Sequence, residues 1–368
     1  MLRKNFLLRT SVYYHKLITG TAHGFVTGLL RGLLYLVSLV YGMVMLGRNF
    51  FYDKRFLSSY TADVPVISVG NVTLGGTGKT PFVCWLSQVL LEHGYKVGLV
   101  SRGYKKLNDE DGSGERHNDE YLEMLIKLPD VPHFQSPNRA DACRRMLTAN
   151  KLDCVILDDA FQHRKVNRQL DIVLIDATEP DGLGYIFPRG TCREPMSSLK
   201  RADVLLLSRA DSVDANERAR LREKLTALSP KAVYGEIVHR PVNVVSFGEK
   251  VTRQPVSMLK ERKIFAFNGI GNPDAFERTL VQTGAEINGS KVFFDHHHYD
   301  ESDIQHLADA AKKTNAEMIV TTMKDIVKIK REKIGDIPLY AIEIGIEFLN
   351  EEESRCITKA VLGTQVSR

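Results

Sequence analysis

Residues 64–81, V-P-V-I-S-V-G-N-V-T-L-G-G-T-G-K-T-P, restrict this chain more than any other stretch. The apolar run at 64–69 is short enough for a buried strand. Gly75, Gly76 and Gly78 follow, then Lys79 and Thr80, and Pro81 opens an apolar-periodic segment that fits a helix. Strand, glycine loop, Lys-Thr and helix in that order predict a phosphate-binding loop. The glycines let backbone N–H groups approach an anion, and the helix N-terminus adds its dipole. Thr73, Leu74, Gly75, Gly76, Thr77, Gly78, Lys79, Thr80 and Pro81 would then cradle a nucleotide. Lys79 would reach the β- and γ-phosphates, and the Thr80 hydroxyl would bind Mg²⁺. The general pattern G-x-x-x-x-G-K-[ST] wants glycine where this chain has Thr73.

The 368 residues suggest two domains, and 43% hydrophobic content allows a substantial core. Five cysteines, odd in number and without a C-x-x-C pair, argue against a disulfide frame or a zinc site. Charge is unevenly placed. Residues 1–55 hold eight Lys or Arg (Arg3, Lys4, Arg9, Lys16, Arg31, Arg48, Lys54, Arg55) against Asp53 alone. That net +7 leaves the remainder at −2 of the whole chain's +5, so no broad basic surface for nucleic acid is implied.

The arm also carries an uncharged apolar run at 33–46. As a helix it would be about 21 Å long, short of a hydrocarbon core of ~30 Å. Positive charge flanks both ends. The expectation is a membrane-embedded anchor whose two ends stay near the cytoplasmic surface, held also by anionic lipid. A single span and a buried core helix are the alternatives.

Beyond the first helix, strands are expected at 96–101, 153–157, 170–175 and 204–207, alternating with helices. They predict a P-loop-type α/β domain with a mostly parallel sheet, helices on both faces and polar groups at its C-terminal edge. The chain divides by this reading into an arm (1–60), a P-loop domain (61–231), a connector (232–247), a smaller α/β domain (248–346) and a closing helix (347–368). Residues 105–120 are polar and glycine-containing, hence a surface loop.

Asp158-Asp159 ends an apolar strand in a chain that already has a phosphate loop. Carboxylates there can hold Mg²⁺, directly or through water. The loop P-R-G-T-C-R-E-P at 188–195 offers Arg193 to phosphate oxygens and Glu194 to complete a metal shell. Asp295-His296-His297-His298 is read three ways: a weak metal tract, a solvated loop, or a carboxylate–imidazole pair that takes a proton from a hydroxyl.

Taken together the motifs resemble the tetraacyldisaccharide 4′-kinase family over nearly the full chain. The resemblance rests on the 68–81 stretch, S-R-G-Y at 101–104, N-D-E at 118–120, L-D-D-A-F-Q-H at 157–163 and P-R-G-T-C-R-E-P at 188–195. It continues with G-I-G-N-P at 269–273, F-F-D-H-H at 293–297 and T-T-M-K-D at 321–325. That family also has Thr at the position of Thr73. The resemblance implies a membrane-associated enzyme that uses ATP to phosphorylate the 4′-hydroxyl of a tetraacylated glucosamine disaccharide 1-phosphate in lipid A biosynthesis. It implies Asp119 as the catalytic acid residue of the family's G-D-E-P motif, with His296 as its partner. In this chain Asn118 stands for that Gly, Tyr121 for that Pro, and Ala160 for the Gly of D-D-G-F-Q-H. The implied active site lies in a cleft between domains, with Lys79 and Arg193 on the transferring phosphoryl group and no obligatory protein partner. The alternative is a membrane-recruited P-loop ATPase of the partitioning or division-site type. Such proteins carry Lys just before the first glycine of G-G-x-G-K-T, and this chain has Leu74.

Overall fold

Asn71, Asp176 and Ser208 each close a fully buried strand, and this places polar side chains together at one edge of a sheet. The computed structural model describes residues 13–103 and 118–366. The expected surface loop up to residue 117, Tyr104 of S-R-G-Y, and Arg3, Lys4 and Arg9 of the arm lie outside the described residues. The fold is α/β with mostly parallel strands, and it divides into two compact units.

The first unit takes in residues 1–79, 159–237 and 348–368. Strand Val66–Asn71 pairs in parallel with Leu170–Asp176, which pairs with Val204–Ser208, which pairs with the start of Val233–Phe247. These strands read as continuous apolar runs because both faces are covered. Helix Ala215–Leu228 buries Leu221 and Leu225. Helix Glu351–Val366 buries Ile357 and Val361, and its Glu353 accepts from the Glu236 backbone N–H at 2.9 Å.

The second unit takes in residues 80–158 and 238–347. Cys154–Asp158, Val97–Ser101 and His133–Gln135 pair in parallel, in that order. Glu286–Val292, Lys263–Asn268, Met318–Thr322 and Ile337–Phe348 make a second parallel set. Helix Asp119–Lys127 packs on helix Met323–Ile329, with Leu122 and Ile126 against a core that includes Phe267, Ile319 and Ile326.

By contact the chain groups differently from the expected domain at 61–231. Residues 80–158 cluster with the later α/β segment, because the 119–127 helix is bound there by apolar contact and by side chain–backbone bonds. Lys127 Nζ donates to the Ile344 carbonyl at 3.1 Å, and Arg253 donates to that of Ile126 at 2.9 Å. The expected connector at 232–247 takes the form of the 15-residue strand Val233–Phe247, along which the chain passes from the first unit into the second. Pro241, which cannot donate to a ladder, falls between its parallel register at 233–237 and its antiparallel register at 243–247.

The arm's helix is longer than expected. It runs from Phe25 to Asp53, 29 residues, about 43 Å at ~1.5 Å per residue. Its polarity is reversed relative to a helix of a water-soluble protein. Thr27, Ser38, Gly42, Met45 and Asn49 face inward, while Phe25, Leu29, Leu36, Val40 and Met43 are between 57% and 90% exposed. Arg31 does not face solvent as a bare charge, since its guanidinium donates to the carbonyls of Leu17 and Ala22.

Candidate active site

In the first unit the loop after Val66–Asn71 is braced by the 188–195 segment. Leu74 N–H donates to the Thr191 carbonyl at 2.7 Å, Arg193 N–H to that of Val72 at 2.7 Å, and Thr73 bridges Cys192. Thr73 is buried in this bridge and needs no left-handed backbone, which explains why glycine is not required there. Gly75 and Gly78 do adopt positive φ, 109° and 82°. A Cβ at Gly75 or Gly76 would meet nothing within 4 Å, so the loop leaves open space for an anion. The buried Thr77 hydroxyl and both polar atoms of the buried Asn71 amide have no hydrogen-bond partner among the described residues. Orphaned polar atoms of this kind suit a polyphosphate and its hydration.

Lys79 opens helix Lys79–Glu92 and lies 3.4 Å from Asp159, whose carboxylate also takes both bonds from Arg193, at 2.8 and 2.9 Å. The structure thus brings Lys79, Arg193 and Asp159 into one cluster. Asp159 sits at φ 48°, a left-handed position that Asp tolerates better than most residues. Leu74, Gly75 and Gly76 are the exposed members of the loop, and Pro81 continues the helix.

Glu194 is the acid expected to complete a metal shell. Its carboxylate is wholly buried and accepts from Asn49 at 2.8 Å, Gln162 at 3.1 Å and Arg201 at 3.0 and 3.2 Å. Burial alone would raise its pKa, but Arg201 and these donors hold it below the usual range. With its lone pairs committed to protein donors, it joins the arm's helix to the loop that carries Arg193. Tyr41 adds a second tie, donating to the Arg193 carbonyl at 3.1 Å.

Two arginines went unassigned in the sequence. Arg209 follows a strand, pairs with Asp176 and donates to the Gly76 carbonyl at 2.6 Å, bracing the glycine loop from below. The signal for it is S-R-A-D at a strand's C-terminal end. In the second unit, buried Arg139 donates to the Asp158 carbonyl at 2.7 Å. Thr80 and Asp158, both buried, belong to this unit, Thr80 in the first turn of helix Lys79–Glu92 and Asp158 at the end of strand Cys154–Asp158. Among the described residues no group of three His, Cys, Asp or Glu could hold a metal alone. Mg²⁺ is held by one or two carboxylates with substrate phosphates and water, so Thr80 and Asp158 match its chemistry without such a cage.

The second unit also joins two motifs 177 residues apart: His296 Nδ1 lies 2.8 Å from Asp119 Oδ2. Asn118 caps the 119–127 helix from an extended backbone, φ −94° and ψ 166°, accepting from Tyr121 N–H at 2.9 Å. It also accepts from Gln135 at 2.9 Å, and the Tyr121 ring lies 4.5 Å from that of His133. The two departures from the family pattern are thus absorbed by a cap and a ring contact. Asp119 is buried, whereas His296 is about one-third exposed. The hydrogen bond with Asp119 raises the His296 pKa despite partial burial. Burial would raise that of Asp119, but His296, Lys324 and Lys328 bring it below the usual range. Nε2 is the remaining ring nitrogen, 3.9 Å from Asp295. His297 is committed elsewhere, 2.7 Å from Asp303 and stacked on Phe293.

The sequence profile of the tetraacyldisaccharide-1-P 4′-kinase family matches residues 30–362. A tetraacyldisaccharide 4′-kinase of Halothermothrix orenii is 33% identical over 339 residues, covering 85% of this chain and 88% of the relative. One of Anaeromyxobacter sp. (strain Fw109-5) is 36% identical over 317 residues, covering 83% and 84%. The fold is similar to that of LpxK from Aquifex aeolicus, solved in complex with ATP. The TM-score is 0.71 at 28% identity, over 91% of this chain and 99% of that one.

Proposed function

The chain belongs to the tetraacyldisaccharide 4′-kinase family, and on that premise we propose how its residues divide the transfer of the ATP γ-phosphate to the 4′-hydroxyl of a tetraacylated disaccharide 1-phosphate. The observation that carries the assignment is the 2.8 Å contact between His296 and Asp119. A sugar hydroxyl is a poor nucleophile at neutral pH, and a positioned base contributes roughly 10²–10⁴-fold. Asp119 fixes the Nδ1 proton of His296, so the Nε2 lone pair accepts the hydroxyl proton as the oxygen attacks phosphorus. The imidazolium that forms is stabilised by the Asp119 carboxylate.

Lys79 and the loop N–H groups grip the β- and γ-phosphates. Arg193 follows the charge on the transferring group, and Asp159 holds both cations in orientation. Mg²⁺, when bound, neutralises charge on the phosphate oxygens; Thr80 and Asp158 would hold it.

The arm's helix lies against its own unit along 35–49 through Tyr35–Tyr185, Tyr41–Phe187 and Asn49–Glu194 contacts. Its outward apolar face suits the hydrocarbon side of a membrane surface, at the cytoplasmic face of the inner membrane where ATP and lipid substrate meet. A perpendicular span would strip those inward contacts.

The test is phosphoryl transfer from labelled ATP to the tetraacylated disaccharide 1-phosphate in detergent. The expected result is a product labelled at the 4′-oxygen, lost in His296→Ala. A His296→Ala enzyme at the parent rate would sink the base assignment.

A further inference from the structure

Asp325, the last residue of T-T-M-K-D, is wholly buried. Its carboxylate accepts from the Gly269 backbone N–H at 2.9 Å, the Thr322 hydroxyl at 2.7 Å and the Tyr299 hydroxyl at 2.9 Å. Lys328, also buried, lies 2.9 Å away. These partners come from three separate segments. One of them leads directly to the base, because the Gly269 carbonyl accepts from the His296 backbone N–H at 3.1 Å. Each face of a single residue, Gly269, is therefore used: its N–H on Asp325, its carbonyl on His296.

Gly269 also has no room for a side chain. A Cβ there would sit 3.0 Å from the Phe294 carbonyl oxygen, 3.0 Å from Tyr299 Oη and 3.1 Å from Asp325 Oδ1. His296 itself is held at φ 59°, a left-handed conformation that surrounding structure must maintain. The loop is pinned on its other side by Tyr299, whose ring packs edge-on to Phe267 and Phe293.

We propose that Asp325 is a positioning residue for the phosphoryl transfer, fixing the Gly269 strand end and Tyr299 so that His296 meets Asp119. This deepens the base assignment above and rests on it. Lys328 and Thr322 lie on the same short stretch as Asp325 and do not touch the His296 segment. The bonds to Tyr299, three residues beyond His296 in the chain, and to Gly269, whose carbonyl accepts from the His296 N–H, are what a positioning role requires. A displacement of about 1 Å at a reacting group costs on the order of 10²-fold.

Two variants test this. Tyr299→Phe removes one hydroxyl and keeps the ring packing. Asp325→Asn/Lys328→Met removes both buried charges together, so no unpaired ammonium is left to unfold the chain. The measurements are kcat, the KM for ATP, and the NMR titration of His296 in the full chain. The charged groups facing His296 are Asp119, Asp295 and Lys324.

The expected result is a kcat lower by roughly 10²-fold in the double variant and several-fold in Tyr299→Phe, with the KM for ATP unchanged. The His296 titration should move down toward an ordinary histidine as its contact with Asp119 loosens. A folded double variant with parent kcat and an unmoved titration would overturn the proposal. His296→Ala is measured alongside. Should it retain full rate, the base assignment fails on its own, and the titration still decides whether Asp325 positions the ring.

Discussion

Replacing either member of the Asp119–His296 pair tests the chemistry most directly. His296→Ala removes the base, so kcat should fall by roughly 10²–10⁴-fold. Asp119→Asn leaves the ring but removes the charge facing it. A hydrogen bond to a charged group is worth about 1.5–3 kcal/mol, or roughly 10–100-fold at ~1.4 kcal/mol per decade. Asp119 is only 4% exposed, so water does little to replace the lost bond. The double variant should be little worse than His296→Ala, because residues acting as one unit are non-additive. The pH profile separates the roles further. Catalysis needs the neutral ring, and the hydrogen bond with Asp119 raises the His296 pKa above the ordinary 6.5. The rate of the parent should therefore rise with pH along a limb centred above 6.5, and that limb should move to lower pH in Asp119→Asn. The same shift stabilises the fold. The contribution from His296 is fully present below 6.5 and is lost as pH rises through its folded value. That from Asp119 is present above 3.8 and lost as pH falls through its lowered value. The assay is kcat against pH with saturating ATP and lipid. Fully multiplicative losses, or a limb that does not move, would refute the reasoning.

Lys79→Ala should abolish turnover in a folded protein by removing the charge on the β- and γ-phosphates; transfer near the parent rate would count against the loop assignment. Glu194→Leu should lower the urea midpoint by the equivalent of about 2 kcal/mol, since it takes the charged hydrogen-bond acceptor from the half-buried Arg201. The dependence of rate on Mg²⁺ concentration should be unchanged, and a raised Mg²⁺ requirement with parent stability would restore Glu194 as a ligand. Leu29→Glu, Leu36→Glu and Met43→Glu together remove about 1 kcal/mol each of apolar transfer. Affinity for anionic phospholipid vesicles should fall roughly 10²-fold, with activity on detergent-dispersed substrate retained. Unaltered vesicle binding would show that this face does not meet lipid.

Local signals in the sequence were strong where one strand, loop and helix are contiguous. The phosphate loop could be read from residues 64–81 because its parts are neighbours, and the parallel strands because their apolar runs are continuous. The Asp119–His296 contact had no local signal. Each residue is ambiguous alone, and only the resemblance joined them. The grouping of residues 80–158 with the later segment has no local signal for a related reason. Nothing in residues 80–158 announces that Leu122 and Ile126 pack against a core built mostly from residues beyond 240. The helix of the arm extends past the uncharged run at 33–46 because the Arg31 guanidinium is satisfied by the Leu17 and Ala22 carbonyls, so the helix passes through it.

Glu194 and Asp325 illustrate a limit that composition and motif share. Both are acids in motifs beside catalytic residues, and position alone suggests that such an acid meets metal or substrate. Burial and partner count decide otherwise. A carboxylate has about four acceptor sites, and each of these two has donors from several segments already upon it. A buried acid so occupied has little left for a ligand, but it fixes the relative placement of every chain segment that donates to it. In the first unit that segment carries Arg193, and in the second it carries His296. Each unit thus has one buried carboxylate holding a segment that carries a half-buried side chain, Arg193 in one and His296 in the other. The physical reason is that a loop cannot hold a side chain to within an ångström through its own backbone alone. Asp158, at the end of a strand with its carbonyl held by Arg139, needs no such hub, because the sheet register already fixes it.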